Sequence, residues 1–302
     1  MFELIKNVNI DFISKRKIAG IVSGIVIVAG LVSLVAHGGP LYSIDFEGGT
    51  EVQVQFTDAA SVESVRDALS SIGYGDAAIR EFGNPNEILI HVKTSTQSEE
   101  QVNTIRGALA SIQGEEGYEI RRLETVGPKI GKELRGDMIS AVLIAMAGIV
   151  IYISIRFQFM YSIGALVALI HDVVITLGIF SLMNIEISLS VLAAFLFIVG
   201  YSLNDTIVVF DRIRENAKVK RHDEFGSVIN TSLNQTLNRT IITSLTTLTV
   251  VIILLTMGGE VIKPFAFALT VGLVVGTYSS IFVASPVVLA WDNNQKKKVA
   301  QK

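Results

Sequence analysis

The sequence predicts an α-helical integral membrane protein with six transmembrane helices and a small α+β domain, ferredoxin-like in order, between helices one and two. Three observations support this fold class. Hydrophobic residues make up 50% of the 302 residues, and the mean hydropathy is +0.53. Charged residues make up 18%, below the roughly 25% typical of soluble domains. The apolar residues are gathered into six runs long enough to span a bilayer, with an acidic segment between the first two.

The distribution of charge predicts the orientation of the spans. Lys and Arg near the ends of membrane helices remain on the cytoplasmic side. Residues 1–17, 211–239 and 291–302 each carry a net positive charge, whereas residues 41–136 carry a net negative charge. We therefore expect both termini in the cytoplasm. In chain order the predicted regions are a cytoplasmic N-terminus (1–17), the first span (18–36), an extracytoplasmic domain (37–136), spans two to four (137–155, 161–182 and 187–210), a cytoplasmic loop (211–239), spans five and six (240–257 and 265–290) and a basic cytoplasmic tail (291–302).

The first span is predicted to be an uncleaved anchor. Its apolar run is longer than the core of a signal peptide, and residues 35–40 make a weak cleavage site. The chain contains no cysteine, which excludes disulfides and thiolate metal sites.

Residues 41–136 are predicted to fold as a β-α-β-β-α-β domain, the ferredoxin-like order. Alternating apolar residues predict the first strand, short candidate segments supply the other three, and apolar residues at helical spacing predict the helices, the first with Ser61 as its N-cap. Gly83-Asn84-Pro85-Asn86 is predicted to be the turn between two short strands. The predicted elements are Glu51–Phe56, Ser61–Ile72, Ala78–Phe82, Ile88–Val92, Ser98–Ile112 and Tyr118–Val126.

Small residues four positions apart occur in two spans. Gly20 and Gly24 lie in the first span, and Gly272 and Gly276 lie in the sixth. Such spacing lets helices approach closely in lipid, although glycine is also simply common in membrane helices.

Polar residues inside the spans are the candidate functional residues, because a charged side chain at mid-membrane costs about 2.5–3.5 kcal/mol on insertion scales. His171 and Asp172 lie near the middle of span three. Asn204 and Asp205 lie in the cytoplasmic half of span four, and Arg239 begins span five at a similar depth. Four hydroxyl residues follow in span five: Thr243, Ser244, Thr246 and Thr247.

Asp205 and Arg239 are predicted to meet if spans four and five are neighbours. An arginine beside an aspartate in low dielectric holds the carboxylate ionised, so an aspartate whose partner moves away acts as a proton-binding switch. A fixed structural ion pair, or a cap on a broken helix, is the alternative for Asp205. His171 and Asp172 are either part of such a pathway or hydrogen-bonded to a neighbouring helix.

The charged run Asp211–Glu215 is predicted to be a solvated helix end, with Asp211 and Arg212 as candidate supporting residues of the pathway. The sequence contains no nucleotide-binding glycine loop, nucleophile elbow or His-Glu-x-x-His motif. It therefore predicts no enzymatic activity, no metal and no cofactor.

Four motifs together resemble the SecF branch of the SecD/SecF family of protein-export membrane subunits, within the RND superfamily. They are DFEGGT at 45–50, ALIHD at 168–172, VGYSLNDTIVVFDRIREN at 199–216 and NQTLNRT at 234–240. The resemblance covers nearly the whole chain.

The resemblance implies half of an RND-type bundle, completed by SecD to a unit of twelve spans in the bacterial cytoplasmic (inner) membrane. It implies that the pair joins the SecYEG channel and uses the proton-motive force to promote translocation of preproteins driven by SecA. YajC and YidC are further candidate partners, membrane lipid surrounds the spans, and no nucleic acid is expected. It also implies that Asp205 and Arg239 serve proton flow.

Gly48 and Gly49 are a candidate joint that passes motion to the extracytoplasmic domain, with an ordinary tight turn as the alternative. Two other functions remain open at this point. One is a structural scaffold subunit without proton transport. The other is an RND-type exporter of small molecules or lipids, which the small acidic domain without an evident apolar pocket disfavours.

Overall fold

The structure is a computed structural model that describes residues 9–93 and 99–300, without the side chains of residues 99–101 and 300. The predicted helix start at Ser98 lies outside the described residues. The chain divides into two compact units: a small domain, Tyr42–Ser140, and a helical unit of Met1–Leu41 with Ala141–Lys302. In chain order the elements are α1 (Arg16–Ala36), α2 (Ile44–Glu47), β1 (Gly49–Phe56), α3 (Val62–Ser71), β2 (Ala78–Phe82), β3 (Asn84–Val92), α4 (Glu99–Gln113), β4 (Tyr118–Val126), α5 (Pro128–Arg156), α6 (Phe159–Leu182), α7 (Leu189–Val219), α8 (Phe225–Met257), α9 (Lys263–Ser279), a π-turn (Ser280–Ala284) and α10 (Ser285–Ala300).

Six helices of the described chain are long and apolar enough to cross a membrane: α1, α5, α6, α7, α8, and α9 continued through the π-turn into α10. This confirms the predicted fold class. Several helices extend beyond the apolar runs that predicted them. In particular, residues 211–239 are almost entirely helical, because α7 runs to Val219 and α8 begins at Phe225. Hydropathy identifies only the apolar part of a helix, which lipid can cover. The same helix can continue beyond that part with polar residues, which hydropathy does not detect.

The sixth span is interrupted where the sequence predicted one continuous run. Pro286 has no N–H to donate to the preceding turn, and a proline in a helix interior breaks the regular ladder. Here the helix widens into the π-turn Ser280–Ala284. The hydroxyl of Ser285 donates to the carbonyl of Ser280 at 2.9 Å, which satisfies an acceptor in the widened turn.

Glycines set the closest approaches between the helices. A Cβ on Gly30 of α1 would lie 2.7 Å from the Cα of Gly178 of α6, and one on Gly276 of α9 would lie 2.9 Å from the Cβ of Ser202 of α7. Gly272 lies against Ile198 in the same α7–α9 contact. The predicted close packing at Gly272 and Gly276 is confirmed.

The predicted packing role of Gly20 and Gly24 is not found among the residues that the structure describes. A Cβ at either position would meet nothing within 4 Å. The small residue that brings α1 against α6 is instead Gly30, which lies further along the same helix.

Two asparagines hold the start of the described chain against α8. Asn234 Oδ1 accepts from the N–H of Ile10 at 2.8 Å, and Asn230 Oδ1 accepts from the N–H of Phe12 at 2.8 Å. Both amide groups also donate to the carbonyl of Ile10, at 3.0 and 2.9 Å. The asparagines are four residues apart and so share one helix face, where they bind the backbone of Ile10 and of the turn that begins at Phe12.

The small domain has the predicted β-α-β-β-α-β order, with the short helix α2 added before β1. Its sheet has the strand order β2-β3-β1-β4 and every pairing is antiparallel, which is the ferredoxin-like topology. Val52 pairs with Ile90 on one side and Leu123 on the other. The predicted N-cap is also confirmed, because Ser61 accepts from the N–H of Ser64.

The predicted turn over residues 83–86 is shorter than expected. Phe82 already pairs with Asn84, and β3 begins there. Gly83 has φ +77°, a left-handed conformation that glycine adopts without steric cost, so one residue suffices to reverse the chain.

We expect Gly178→Ala to destabilise the helical unit, because its Cβ meets backbone atoms of Gly30 that cannot move without separating α1 from α6. Overpacking of this kind costs about 1–3 kcal/mol. Thermal unfolding of the full chain in detergent measures the effect. Gly24→Ala, which meets nothing within 4 Å, is the matched control, and equal melting temperatures for the two variants would contradict the prediction.

Candidate functional site

The most deeply buried carboxylate in the described chain is Asp172 of α6, with an exposed fraction of 0%. Its Oδ2 accepts hydrogen bonds from the hydroxyls of Ser202 of α7, at 2.6 Å, and Ser279 of α9, at 2.8 Å. Its Oδ1 lies 2.9 Å from Nδ1 of His171. Both carboxylate oxygens therefore have partners, as a buried charged group requires.

His171 extends this network from α6 to α1. Its Nε2 lies 3.0 Å from the hydroxyl of Ser23, which in turn lies 3.0 Å from the hydroxyl of Tyr278. Tyr278 donates to the carbonyl of Ala19 at 2.7 Å, and its ring stacks on the imidazole with centroids 6.0 Å apart. The predicted alternative of a hydrogen bond to a neighbouring helix is thus what the structure shows for this pair.

Asp205 of α7 is nearly as buried as Asp172, with 3% of its surface exposed, but it has far fewer partners. Among the described residues its hydrogen-bond partner is Ser244 of α8, whose hydroxyl lies 3.4 Å from Oδ2. Ser244 also lies 2.8 Å from the hydroxyl of Thr277 of α9. Asp205 is therefore a buried acid with unused acceptor capacity.

Arg239 lies close enough to Asp205 for its charge to act on the carboxylate. The helices that carry them, α7 and α8, are neighbours as predicted. However, within the described chain no ion pair of 4.0 Å or less joins the two residues, and the side chain of Arg239 is exposed. The position of Arg239 along its helix can be predicted from the sequence. The direction of its long side chain cannot, because it depends on what surrounds the helix.

The side chain of Asn204 is exposed, like that of Arg239, whereas the side chain of the adjacent Asp205 is buried. The hydroxyls of Thr243 and Thr246 bond to carbonyls of their own helix. Within the predicted hydroxyl cluster of span five, Ser244 is the residue that reaches an acid.

Asp211 and Arg212 lie apart from both buried acids. Asp211 pairs with Arg156 at 3.5 Å and with Arg214 at 4.0 Å, and Arg212 pairs with Glu215 at 2.8 Å. These side chains are partly exposed, where ion pairs contribute at most about 1 kcal/mol. They are not at a helix end as predicted, because α7 continues to Val219.

Gly48 and Gly49 have left-handed backbone conformations, with φ of +76° and +132°. A Cβ on Gly48 would lie 2.7 Å from the Cα of Pro128, and one on Gly49 would lie 2.7 Å from the carbonyl oxygen of Val92. The pair is therefore required by conformation and by close packing inside the small domain. A role as a joint stays a prediction.

No sequence pattern indicated the hydroxyl residues that complete the two sites. These residues are Ser23, Ser202, Thr277, Tyr278 and Ser279. A signal was present, because Ser202 precedes Asp205 by three residues and Tyr278 and Ser279 follow Gly276, where a helix approaches closely. A serine on an apolar helix nevertheless does not reveal which neighbouring helix it faces.

The described residues contain no cluster of three or more His, Asp or Glu side chains that could hold a metal ion. The polar groups at the two sites are carboxylates, an imidazole and hydroxyls.

Two family profiles match the chain. Residues 108–294 match the profile described as "Protein export membrane protein SecD/SecF, C-terminal", and residues 39–60 match "SecD/SecF GG Motif". The second range includes Gly48 and Gly49.

The chain is also similar to individual proteins. It is 47% identical to the protein translocase subunit SecF of Calditerrivibrio nitroreducens over 291 residues, which cover 95% of each chain. It is 47% identical to the same subunit of Desulfurispirillum indicum, covering 93% of this chain and 91% of that protein. The crystal structure of SecDF from Thermus thermophilus, a translocon-associated membrane protein, matches with a TM-score of 0.86 and 38% identity. That match covers 95% of this chain and 39% of the SecDF chain.

We expect Asp172→Ala to destabilise the helical unit, because His171, Ser202 and Ser279 lose their shared acceptor. Each buried donor left unpaired costs about 1–3 kcal/mol. Thermal unfolding of the full chain measures the loss. Thr246→Ala is the control, because that exposed hydroxyl bonds to carbonyls of its own helix; equal stability of the two variants would refute the structural role of Asp172.

Proposed function

The chain belongs to the SecD/SecF family as a SecF-type subunit of the protein translocase, and we propose that it couples proton movement across the membrane to preprotein export. Asp205 is the observation that carries the proposal. It is a buried carboxylate with acceptor capacity to spare, inside a membrane helix, with the charge of Arg239 nearby but unpaired. Intramembrane acids of this kind commonly belong to proton pathways.

The proposed cycle alternates two states of Asp205. With Arg239 apart from it, the desolvated carboxyl binds a proton; when the guanidinium moves in, the ionised form is favoured and the proton leaves. The long, exposed side chain of Arg239 and its distance of more than 4 Å from Asp205 support the first of these states. Asn204, beside the acid, is proposed to line the entry of the pathway.

The energy of one proton is sufficient to drive such a cycle. Moving one charge through 100 mV releases about 2.3 kcal/mol. Since about 1.4 kcal/mol corresponds to a tenfold change in an equilibrium constant, this biases a two-state movement about fifty-fold. We propose that the small domain is the part that moves, with Gly48 and Gly49 at its joint.

SecD is the partner that the comparisons support. In the SecDF crystal structures, a region similar to this chain makes up 39% and 41% of the chain. We further propose that the complex works with the SecYEG channel and SecA, and that YajC and YidC associate with it. The exposed polar side chains of Asn204 and Arg239 support a protein partner at this face, because lipid tails leave such groups without hydrogen bonds.

The chain is a multi-pass membrane protein. We propose that it lies in the bacterial cytoplasmic membrane with both termini in the cytoplasm, as its positively charged segments support. The two alternatives are not favoured. A small-molecule exporter disagrees with the translocase subunits that the chain resembles, and a scaffold with a fixed Asp205–Arg239 ion pair disagrees with the separation of these residues.

We expect Asp205→Asn to abolish the stimulation of export by a proton gradient, because an amide cannot release or bind the proton. The measurement is translocation of a preprotein into vesicles that contain the whole complex, with and without the gradient. Asp223→Asn is the matched control, since Asp223 is exposed in the connection between α7 and α8. Proton-dependent stimulation that persists in Asp205→Asn at normal abundance would refute the proposal.

The proposed orientation predicts which thiols a membrane-impermeant maleimide can label. The native chain has no cysteine, so Ser71→Cys in the small domain and Lys297→Cys in the tail each introduce one thiol, both at exposed positions. In intact cells with a permeable outer membrane we expect labelling of Ser71→Cys alone, and in lysed cells labelling of both. Labelling of Lys297→Cys in intact cells would place the tail outside the cytoplasm and contradict the proposed orientation.

A further inference from the structure

A chain of four polar contacts crosses the helical unit at a place that the Asp205 pathway does not use. It runs from the carbonyl of Ala19 to the hydroxyl of Tyr278 (2.7 Å), to the hydroxyl of Ser23 (3.0 Å), to Nε2 of His171 (3.0 Å), and from Nδ1 of His171 to Oδ1 of Asp172 (2.9 Å). All four lengths are within the range of hydrogen bonds. Each contact therefore needs one hydrogen between its two heavy atoms.

The direction of the first bond determines the others. A carbonyl only accepts, so Tyr278 donates its one hydrogen to Ala19. If Tyr278 does not share that hydrogen, Ser23 donates to the oxygen of Tyr278, since each hydroxyl carries a single hydrogen. Ser23 has none left for His171, so the hydrogen of that contact must come from Nε2.

The fourth contact needs a further hydrogen, on Nδ1 or on the carboxyl of Asp172. A neutral imidazole and an ionised carboxylate hold one hydrogen between them, whereas this chain of contacts needs two. We propose that His171 and Asp172 form a second proton-binding site, in which the pair binds one proton and becomes electrically neutral. This inference does not depend on the proposed function, because it concerns only where hydrogens lie.

Burial supports the count. His171 and Asp172 are 6% and 0% exposed, and a buried pair without net charge avoids the cost of an isolated buried ion. The hydroxyls of Ser202 and Ser279 both donate to Oδ2 of the carboxylate. Ser279 also reaches the carbonyl of Gly276 at 3.1 Å, so it shares its hydrogen between two acceptors.

The groups that face the pair come from three helices. Tyr278 of α9 is the titratable side chain in direct contact through its ring, and Asp205 of α7 lies one turn beyond Ser202. The contact from α1 is the uncharged Ser23. Within the described chain, no Lys or Arg forms an ion pair of 4.0 Å or less with His171 or Asp172. The positive charge that balances the carboxylate of Asp172 is therefore that of the added proton.

Loss of the proton breaks one of two contacts. If the remaining hydrogen is on Nδ1, Nε2 accepts from Ser23, and the hydroxyls of Ser23 and Tyr278 then compete for the hydrogen of Tyr278. If it is on Nε2, Nδ1 and the ionised Oδ1 of Asp172 face each other with no hydrogen between them. Thr277, beside Tyr278, contacts Ser244, the partner of Asp205, so α9 adjoins both buried acids.

The test measures hydrogens directly on the full chain in lipid bilayers. Nitrogen-15 NMR of histidine-labelled protein reports which ring nitrogens are protonated, with His171→Gln assigning one of the four histidines. Infrared difference spectra, assigned with Asp172→Asn, report whether the carboxyl is protonated. At neutral pH we expect a hydrogen on Nε2, together with a hydrogen on either Nδ1 or Asp172.

A single ring hydrogen beside an ionised Asp172 would overturn the proposal. If that hydrogen is on Nδ1, Tyr278 shares its own hydrogen between Ala19 and Ser23. Neither outcome depends on export, so failure here is distinct from failure of the Asp205→Asn experiment.

One variant should change where the hydrogens lie. Tyr278→Phe frees Ser23 to donate to Nε2, so the ratio of protonated to unprotonated Nε2 should fall about tenfold, the effect of one hydrogen bond. Tyr152→Phe, at an exposed tyrosine of α5, should leave it unchanged. An unchanged ratio in Tyr278→Phe would contradict the site.

Discussion

The need to satisfy one buried carboxylate organises the helical unit. Asp172 has no exposed surface, and its oxygens depend on hydroxyls from α7 and α9 and on the imidazole next to it. Serine side chains are short, so they reach the carboxylate only if the helices lie close together. Gly276, against Ser202, permits that distance. Ser202 therefore takes part both in the hydrogen bond to Asp172 and in the close α7–α9 approach at Gly276.

The two buried acids differ in how completely they are satisfied. Asp172 has partners at both oxygens, whereas Asp205 has one hydroxyl at 3.4 Å and a nearby arginine that does not touch it. A saturated acid resists movement of its neighbours, since each broken bond leaves a buried donor or acceptor unpaired. An unsaturated acid leaves room for a proton or a cation. The helical unit therefore contains two buried acids of different kinds, one fully hydrogen-bonded at α6 and one sparsely hydrogen-bonded between α7 and α8.

Local sequence patterns predicted most of the helices and strands, but they did not predict which side chains meet between helices. The strand over Glu51–Phe56 followed from the alternation of its apolar and polar residues, and Asp205 stood out as an acid inside an apolar run. Ser23 and Ser279 gave no comparable signal, because their partners lie on other helices. The helical character of residues 211–239 was missed for another reason: hydropathy follows the lipid boundary, and α7 and α8 continue beyond it, joined by the bond from Asn216 to Ser232.

The hydrogen bonds from Asn230 and Asn234 to the first described residues have a consequence for the order in which parts of the helical unit assemble. Ile10 and Phe12 are bound by Asn230 and Asn234, which follow them by 218 to 224 positions. A ribosome makes about 5–20 residues per second, so Ile10 and Phe12 wait on the order of ten seconds or longer for these asparagines. During that interval their backbone groups have no partner in α8. Although it is made earlier, this segment therefore reaches its final position only after Asn230 and Asn234 have been made.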